Sequence, residues 1–174
     1  MKKSIFLLIF ICFYFVSCKS VKVQDGLKDQ GIFVMVYDLN NSPVENVSFY
    51  HNNQLVGKTD VEGRVILKCP DLEKIDILVK KYNYEEIQLT FDYVPHAVFY
   101  IKMGSYNQLI DIAEQLLLEN NYNEADILLS KIEKINPKSQ DFILLRMIYY
   151  KKINDVDNEE KYFNLLSDDV KAKL

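Results

Sequence analysis

Ala97-Val98-Phe99-Tyr100-Ile101-Lys102-Met103-Gly104-Ser105-Tyr106-Asn107-Gln108-Leu109-Ile110-Asp111-Ile112-Ala113 is where this chain changes its period. Ala97 to Met103 is nearly all apolar, the pattern of a strand buried on both faces. After Gly104, Leu109, Ile112, Ala113 and Leu116 recur at i, i+3, i+4 and i+7, which is one face of a helix. A strand-rich part therefore ends at this joint and a helical part begins. The expected class is α+β in two domains. The N-terminal domain is a seven-stranded β-sandwich over residues 31–103. The C-terminal domain, residues 105–174, is built of antiparallel α-helical hairpins.

Upstream of the joint the period is two. Ile32 to Tyr37 is rich in β-branched and aromatic residues. Val47 to His51 and Gln54 to Val56 flank Asn52-Asn53, a turn pair that tolerates positive φ. Val65 and Leu67, then Ile75, Ile77 and Val79, then Ile87, Leu89 and Phe91 alternate with polar residues. Asn40-Asn41-Ser42-Pro43 and Asp60-Val61-Glu62-Gly63 supply turns between them. Several short strands with turn signals between them are the pattern of a sandwich.

The motifs Val34-x-Val36-x-Asp38, Pro43-Val44-x-x-Val47, Thr59-Asp60-x-x-Gly63-x-Val65, Ile77-x-Val79 and Lys81-Tyr82-Asn83-Tyr84 follow in order. This series resembles the carboxypeptidase regulatory-like domain, a small transthyretin-like sandwich. Asn83 stands where that family has Gly, which implies a left-handed turn residue there. Val47 to Thr59 is also similar to a PEGA domain. Both resemblances imply a fold and no catalytic residues.

Downstream, Ala125, Leu128, Leu129, Ile132 and Ile135 form a second helical stripe, with Asn123 as its cap. Asn136-Pro137 stops that helix, and Ser139 caps a third that runs to about Ile153. Asp155 to Asn158 reads as a turn before a shorter helix from Glu159 to Leu166. Asn121-Tyr122-Asn123-Glu124-Ala125, with Ile132, Ile135, Asn136 and Pro137, resembles a tetratricopeptide repeat, followed by a degenerate second copy. Leu109 and Glu133 depart from that family's pattern. Ile110 and Leu117 form a surplus apolar stripe on the first helix, and the third helix is apolar nearly all round. Helices of this kind bury more than one side, so the surplus surface is expected to pack on the sandwich domain, on a second copy of the chain, or on a protein or peptide partner.

At the other end, Lys2-Lys3 precedes twelve unbroken apolar residues, Ile5 to Val16. That run is shorter than the about 20 residues a spanning helix needs, and it matches a secretory signal. Phe15-Val16-Ser17-Cys18 resembles a bacterial lipobox, with Phe15 in place of the usual Leu. The resemblance implies cleavage between Ser17 and Cys18 and lipids on the Cys18 thiol, palmitate among them. Residues 1–17 are then the signal peptide and 18–30 the lipidated cysteine and a polar tether. Two or more acyl chains hold a protein far more durably than one. Lys19, where Asp would mark retention at the inner membrane, points to the outer membrane.

Lys2 and Lys3 are the only charges before Cys18, so the −4 of the whole chain becomes −6 without them. A diffuse negative charge is the wrong footprint for nucleic acid. Cys69 has no partner for an internal disulfide, and the two histidines, His51 and His96, are far apart in sequence. Glu85-Glu86, Glu159-Glu160 and Asp168-Asp169 read as solvated pairs. Asp155, Asp157 and Glu159 lack the Gly and the spacing of a calcium loop. No cofactor or metal is expected, and no catalytic residue stands out. The expectation is a membrane-anchored interaction or scaffold module of the bacterial envelope; a structural accessory subunit of an envelope complex is the alternative, and neither reading fixes the oligomeric state.

Cys18→Ala should abolish incorporation of labelled palmitate and slow removal of the signal. Equal labelling of variant and wild type would sink the lipoprotein expectation.

Overall fold

The computed structural model describes residues 31–68, 74–94 and 96–174. Cys18, Ser17, the signal peptide, the tether and Cys69 lie outside the described residues. Among the described residues the fold is α+β: seven strands in two sheets, then five helices.

The strands are β1 (Ile32–Tyr37), β2 (Ser48–His51), β3 (Gln54–Lys58), β4 (Arg64–Leu67), β5 (Lys74–Lys80), β6 (Ile87–Asp92) and β7 (Val98–Lys102). One sheet has the order β4-β1-β7 and the other β3-β2-β5-β6. β1 and β7 run parallel, with Phe33 opposite Val98 and Tyr37 opposite Lys102; the other pairings are antiparallel. Alternation does what the period of two predicts. Val34 and Val36 point inward from one sheet, and Phe49, Ile77 and Val79 from the other, all within one buried apolar cluster. Burying each such side chain is worth about 1.5–3 kcal/mol.

The turns use Asn where many chains use Gly. Asn41, Asn46, Asn52, Asn53, Asn83, Asn120 and Asn154 all have φ between 47° and 63°. The chain has only five glycines, and Asn is the L-residue that tolerates this region best. Gly63, at φ 73°, is different, because a Cβ there would strike the carbonyl oxygen of Val36. Thr59 earns its place in the Thr-Asp motif by a buried hydroxyl. It donates to the carbonyl of Val44 and accepts from the N–H of Val47, both at 2.8 Å. The Asp60 carboxylate accepts the N–H groups of Arg64 and Glu62, and the Arg64 N–H above all holds its pKa below the ordinary value.

The helices are α1 (Tyr106–Leu118), α2 (Tyr122–Ile135), α3 (Gln140–Lys152), α4 (Val156–Leu165) and α5 (Asp168–Lys171). α1 packs on α2 and α3, α2 on α3, and α3 on α4. The two hairpins close alike. After α1, the N–H of Asn120 bonds Leu117 and that of Asn121 bonds Leu116; after α3, Asn154 bonds Lys151 and Asp155 bonds Tyr150. Both are Schellman closures around a left-handed Asn. Each reverses the chain within one or two residues, which moves two helix starts from their expected places. α2 begins at Tyr122 with Asn121 as cap, not Asn123. Asp155 does not open a turn: it caps α4, accepting from the N–H of Asn158. Ser139 does stand at the start of α3, but its hydroxyl accepts from Tyr106 at 2.5 Å and caps no helix N–H. The short α5 had no expected counterpart.

The buried face of α1 is Tyr106, Leu109, Ala113 and Leu117. Leu117 therefore belongs to the helical core, and Ile112, expected there, is 37% exposed. The expected phase was off because α1 buries two contact lines, against α2 and α3, and the four-residue step from Ala113 to Leu117 follows them.

Asn83 sits at φ 63°, as the motif predicts. Asn83→Gly should leave the melting temperature unchanged or raise it slightly. Asn83→Val should cost about 1–2 kcal/mol, because β-branching penalises positive φ. A valine variant that melts with the glycine variant would remove the left-handed turn from this account.

Candidate functional site

The helical part offers a groove between α1 and α3. Ile110, Leu117 and Leu118 line one side, and Leu144, Leu145 and Ile148 the other. The cavity measures about 230 Å³. Glu114, Asp141 and Lys152 complete its lining with charge. Both residues singled out from sequence are here, in different states. Ile110 is half-buried and open to the groove, whereas Leu117 is 2% exposed and part of the floor. Leu118, 75% exposed, is the apolar residue that sequence reasoning passed over.

The groove keeps its shape because α3 is pinned from behind by Arg146. This side chain is 5% exposed. Its Nη1 meets Asp126 at 2.5 Å and its Nη2 donates to Ser130 at 2.9 Å, with Glu133 3.8 Å away. Its guanidinium also lies 5.7 and 5.9 Å from the ring centres of Tyr149 and Tyr150. Three α2 residues thus hold one α3 cation, a geometry suited to the planar fork of Arg. Glu133, a departure from the tetratricopeptide pattern, gains its reason from this contact. An Arg in the middle of Phe142-Ile143-Leu144-Leu145-Arg146-Met147-Ile148 was the available sequence signal, since a buried charge needs a partner. Burial first, then the Asp126 carboxylate, pushes the Tyr149 hydroxyl up; burial and then Glu133 do the same for Tyr162. Both rings stay neutral beside the cation at ordinary pH.

A second tie joins the helices to the sheets. The Glu85 Oε1 accepts from the Gly104 N–H at 2.8 Å, and Oε2 pairs with Lys131 of α2 at 2.9 Å. The Glu85 side chain is only 12% exposed, so Glu85-Glu86 is not a solvated pair; Glu86 alone faces out, pairing with Lys80. Gln108 donates to Asp38 across the same joint.

The described residues contain no group of three or more His, Cys, Asp or Glu that could hold a metal ion. His51 is engaged locally, with Nδ1 2.9 Å from the carbonyl of Asp76 and Nε2 3.0 Å from the Asn52 amide. No helix among the described residues is long and apolar enough to cross a membrane. No protein-family model matches this chain, and no curated protein matches it in sequence.

Arg146→Ala should destabilise the protein by about 2 kcal/mol, below the 3–5 typical of a broken buried pair, because Asp126 is half-exposed and water can take it up. In a chain of this size that is a drop of about 4–8 °C in melting temperature. Arg146→Lys should recover less than half of it, since a point charge cannot serve Asp126 and Ser130 together. Full recovery by Lys would reduce the interaction to charge alone.

Proposed function

We propose that this chain is a lipid-anchored protein of the bacterial envelope, with a β-sandwich domain as its stalk and a tetratricopeptide-like domain that binds a segment of a protein partner. The observation that carries the binding role is the apolar groove between α1 and α3, with Ile110 and Leu118 presented on it.

The repeat reading gains support from spacing. Ser139 stands 34 positions after Ser105, and Asn154 stands 34 after Asn120. α1 and α3 are each 13 residues long at that same offset. Thirty-four residues is the period of the tetratricopeptide helix–turn–helix. In such an array the first helix of each repeat faces one side, which here means α1 and α3, the helices that line the groove. An array of three or more units would ordinarily enclose its own core. Two units leave apolar surface over, and this groove is part of it.

The occupant that fits is a short amphipathic segment whose apolar side chains recur at helical spacing. Glu114 and Asp141 favour a basic residue beside those anchors, and Lys152 an acidic one toward the other end. Anchoring by Cys18 would hold the groove at the membrane that carries the partner, raising the effective concentration of both.

The test is a photo-crosslinking residue at Leu118 in membrane-bound protein, with Tyr82, 91% exposed on the sheet side, as control position. An adduct at 118 and not at 82, lost in Ile110→Glu without change in melting temperature, is the expected result. Leu117→Glu is unsuitable here, because Leu117 is buried and its loss would unfold the helices. Equal adducts at both positions, or adducts indifferent to Ile110→Glu, would refute the groove. A fall in stability with Ile110→Glu would reassign this surface to the core.

A further inference from the structure

The two sheets differ in what they show to the outside. On the four-stranded sheet the outward positions of β5 and β6 are polar apart from Leu78, which lies in a row with Tyr50 and the 58% exposed Leu55. Thr90 donates to Asp76 at 2.5 Å, Lys80 pairs with Glu86, and Gln88 is exposed; Tyr50 and Leu78 are half-buried among them. On the three-stranded sheet the same alternation turns apolar residues out. Phe33 lies between Ile66 and Val98 in register, and these are 44%, 48% and 50% exposed. In the next outward row Met35 lies between Arg64, which pairs with Asp60 and Glu62, and Tyr100, which is 70% exposed and stacks on Tyr37. Inward alternation is satisfied on both sheets, so this apolar outer face is not a by-product of filling the core. A contiguous patch of this kind on an outer sheet face marks something that covers it.

Its position says what. The Ile66-Phe33-Val98 row is at the N-terminal end of β1, next to Gly31, where the chain arrives from residues 1–30. Only twelve residues separate Gly31 from Cys18, at most about 45 Å of extended chain. The helices attach at the opposite end of β1, beyond Tyr37. Around the patch are Lys68, which follows β4, and Lys102 on β7, both exposed. Val94, 54% exposed, is in the loop whose Ala97 carbonyl accepts from Phe33. Aromatic and aliphatic side chains rimmed by lysines are the composition that settles at a bilayer interface, with the rings at headgroup depth and the ammonium groups toward phosphate.

We propose that the outer face of the β4-β1-β7 sheet lies on the lipid surface beside the anchor, as a second, non-covalent contact with the membrane. The proposal rests on the lipid-anchored reading above. In it the sandwich is laid down on one face and not held off at the full length of the tether, so the α1–α3 groove stays at a fixed height.

The test uses the full chain with Cys69→Ser, carrying a nitroxide label at Tyr100→Cys or, on the other sheet, at Gln88→Cys. Protein in phosphatidylethanolamine and phosphatidylglycerol vesicles is exposed to a water-soluble relaxation agent and to oxygen. The label at 100 should be at least about five-fold less accessible to the aqueous agent than that at 88, and open to oxygen. Adding Phe33→Glu should erase the difference. Equal aqueous accessibility at 100 and 88 overturns the proposal, as does shielding of 100 from both agents that grows with protein concentration, the mark of a second copy. Palmitate labelling of the same samples reads the anchor separately. Cys18→Ala protein, held by its uncut apolar run and carrying Cys12→Ser so that only one thiol is labelled, should keep the contrast between 100 and 88. Absence of palmitate from protein that retains Cys18, with the contrast intact, refutes the anchor alone, and palmitate present without contrast refutes the sheet contact alone.

Discussion

The arrangement of this protein depends on one short splice of backbone. Where β7 ends, the N–H of Met103 bonds the carbonyl of Tyr37, and the N–H of Tyr106 bonds the carbonyl of Asn83. Tyr84 and Ser105 form a bridge between those bonds, and Glu85 exchanges hydrogen bonds with Gly104 through both its N–H and its carboxylate. The first turn of α1 is thereby an extension of sheet hydrogen bonding, and its direction is set before any side chain packs. A Cβ at Gly104 would lie 2.5 Å from Leu109 Cδ2, so the close approach also needs a residue without one. From the sheet side, Leu39 packs against the helical core. Polar ties from Glu85 to Lys131 and from Asp38 to Gln108 complete the joint.

Much of this fold is legible in the sequence, and the reason differs by region. The strands were legible because a period of two has a sharp consequence: a one-residue slip would turn Val34, Val36, Ile77 and Val79 outward. Left-handed turns were legible because Asn is the L-residue best suited to them, and Asn52, Asn53 and Asn83 all stand at positive φ. Helix phase was not. Apolar residues surround α3, and α1 has Leu, Ile and Leu on several faces, so the period fits more than one stripe. Which stripe is buried is decided by neighbours far along the chain, such as Phe142 and Met147.

The site was legible only in part for the same reason. Ile110 was found through its departure from the main stripe, but its groove partners Leu144 and Ile148 come from a helix some thirty residues on. Arg146 carried a readable anomaly, a cation within an apolar helix, yet its partners Asp126 and Ser130 lie on a different helix. The 34-residue offset between Ser105 and Ser139 was present in the sequence but hard to see, because the side chains at that offset differ while the helix starts and lengths agree. The apolar outer face of the three-stranded sheet was hidden differently. The apolar character of Phe33 and Tyr100 alone would suit core residues, and only the pairing and exposure show that they face away from the second sheet.

The parallel pairing of β1 with β7 has a mechanical consequence. Load on the chain ahead of Gly31 reaches β1 at its first residue, and load from the helices reaches β7 at its last. Pulling those two points apart slides the strands past each other along their length. The hydrogen bonds of the register from Phe33–Val98 to Tyr37–Lys102 then share the force and must fail together, where a hairpin pulled at its open end would unzip one bond at a time. The sandwich is wired as a tensile link, stiffest along the line between its two attachments.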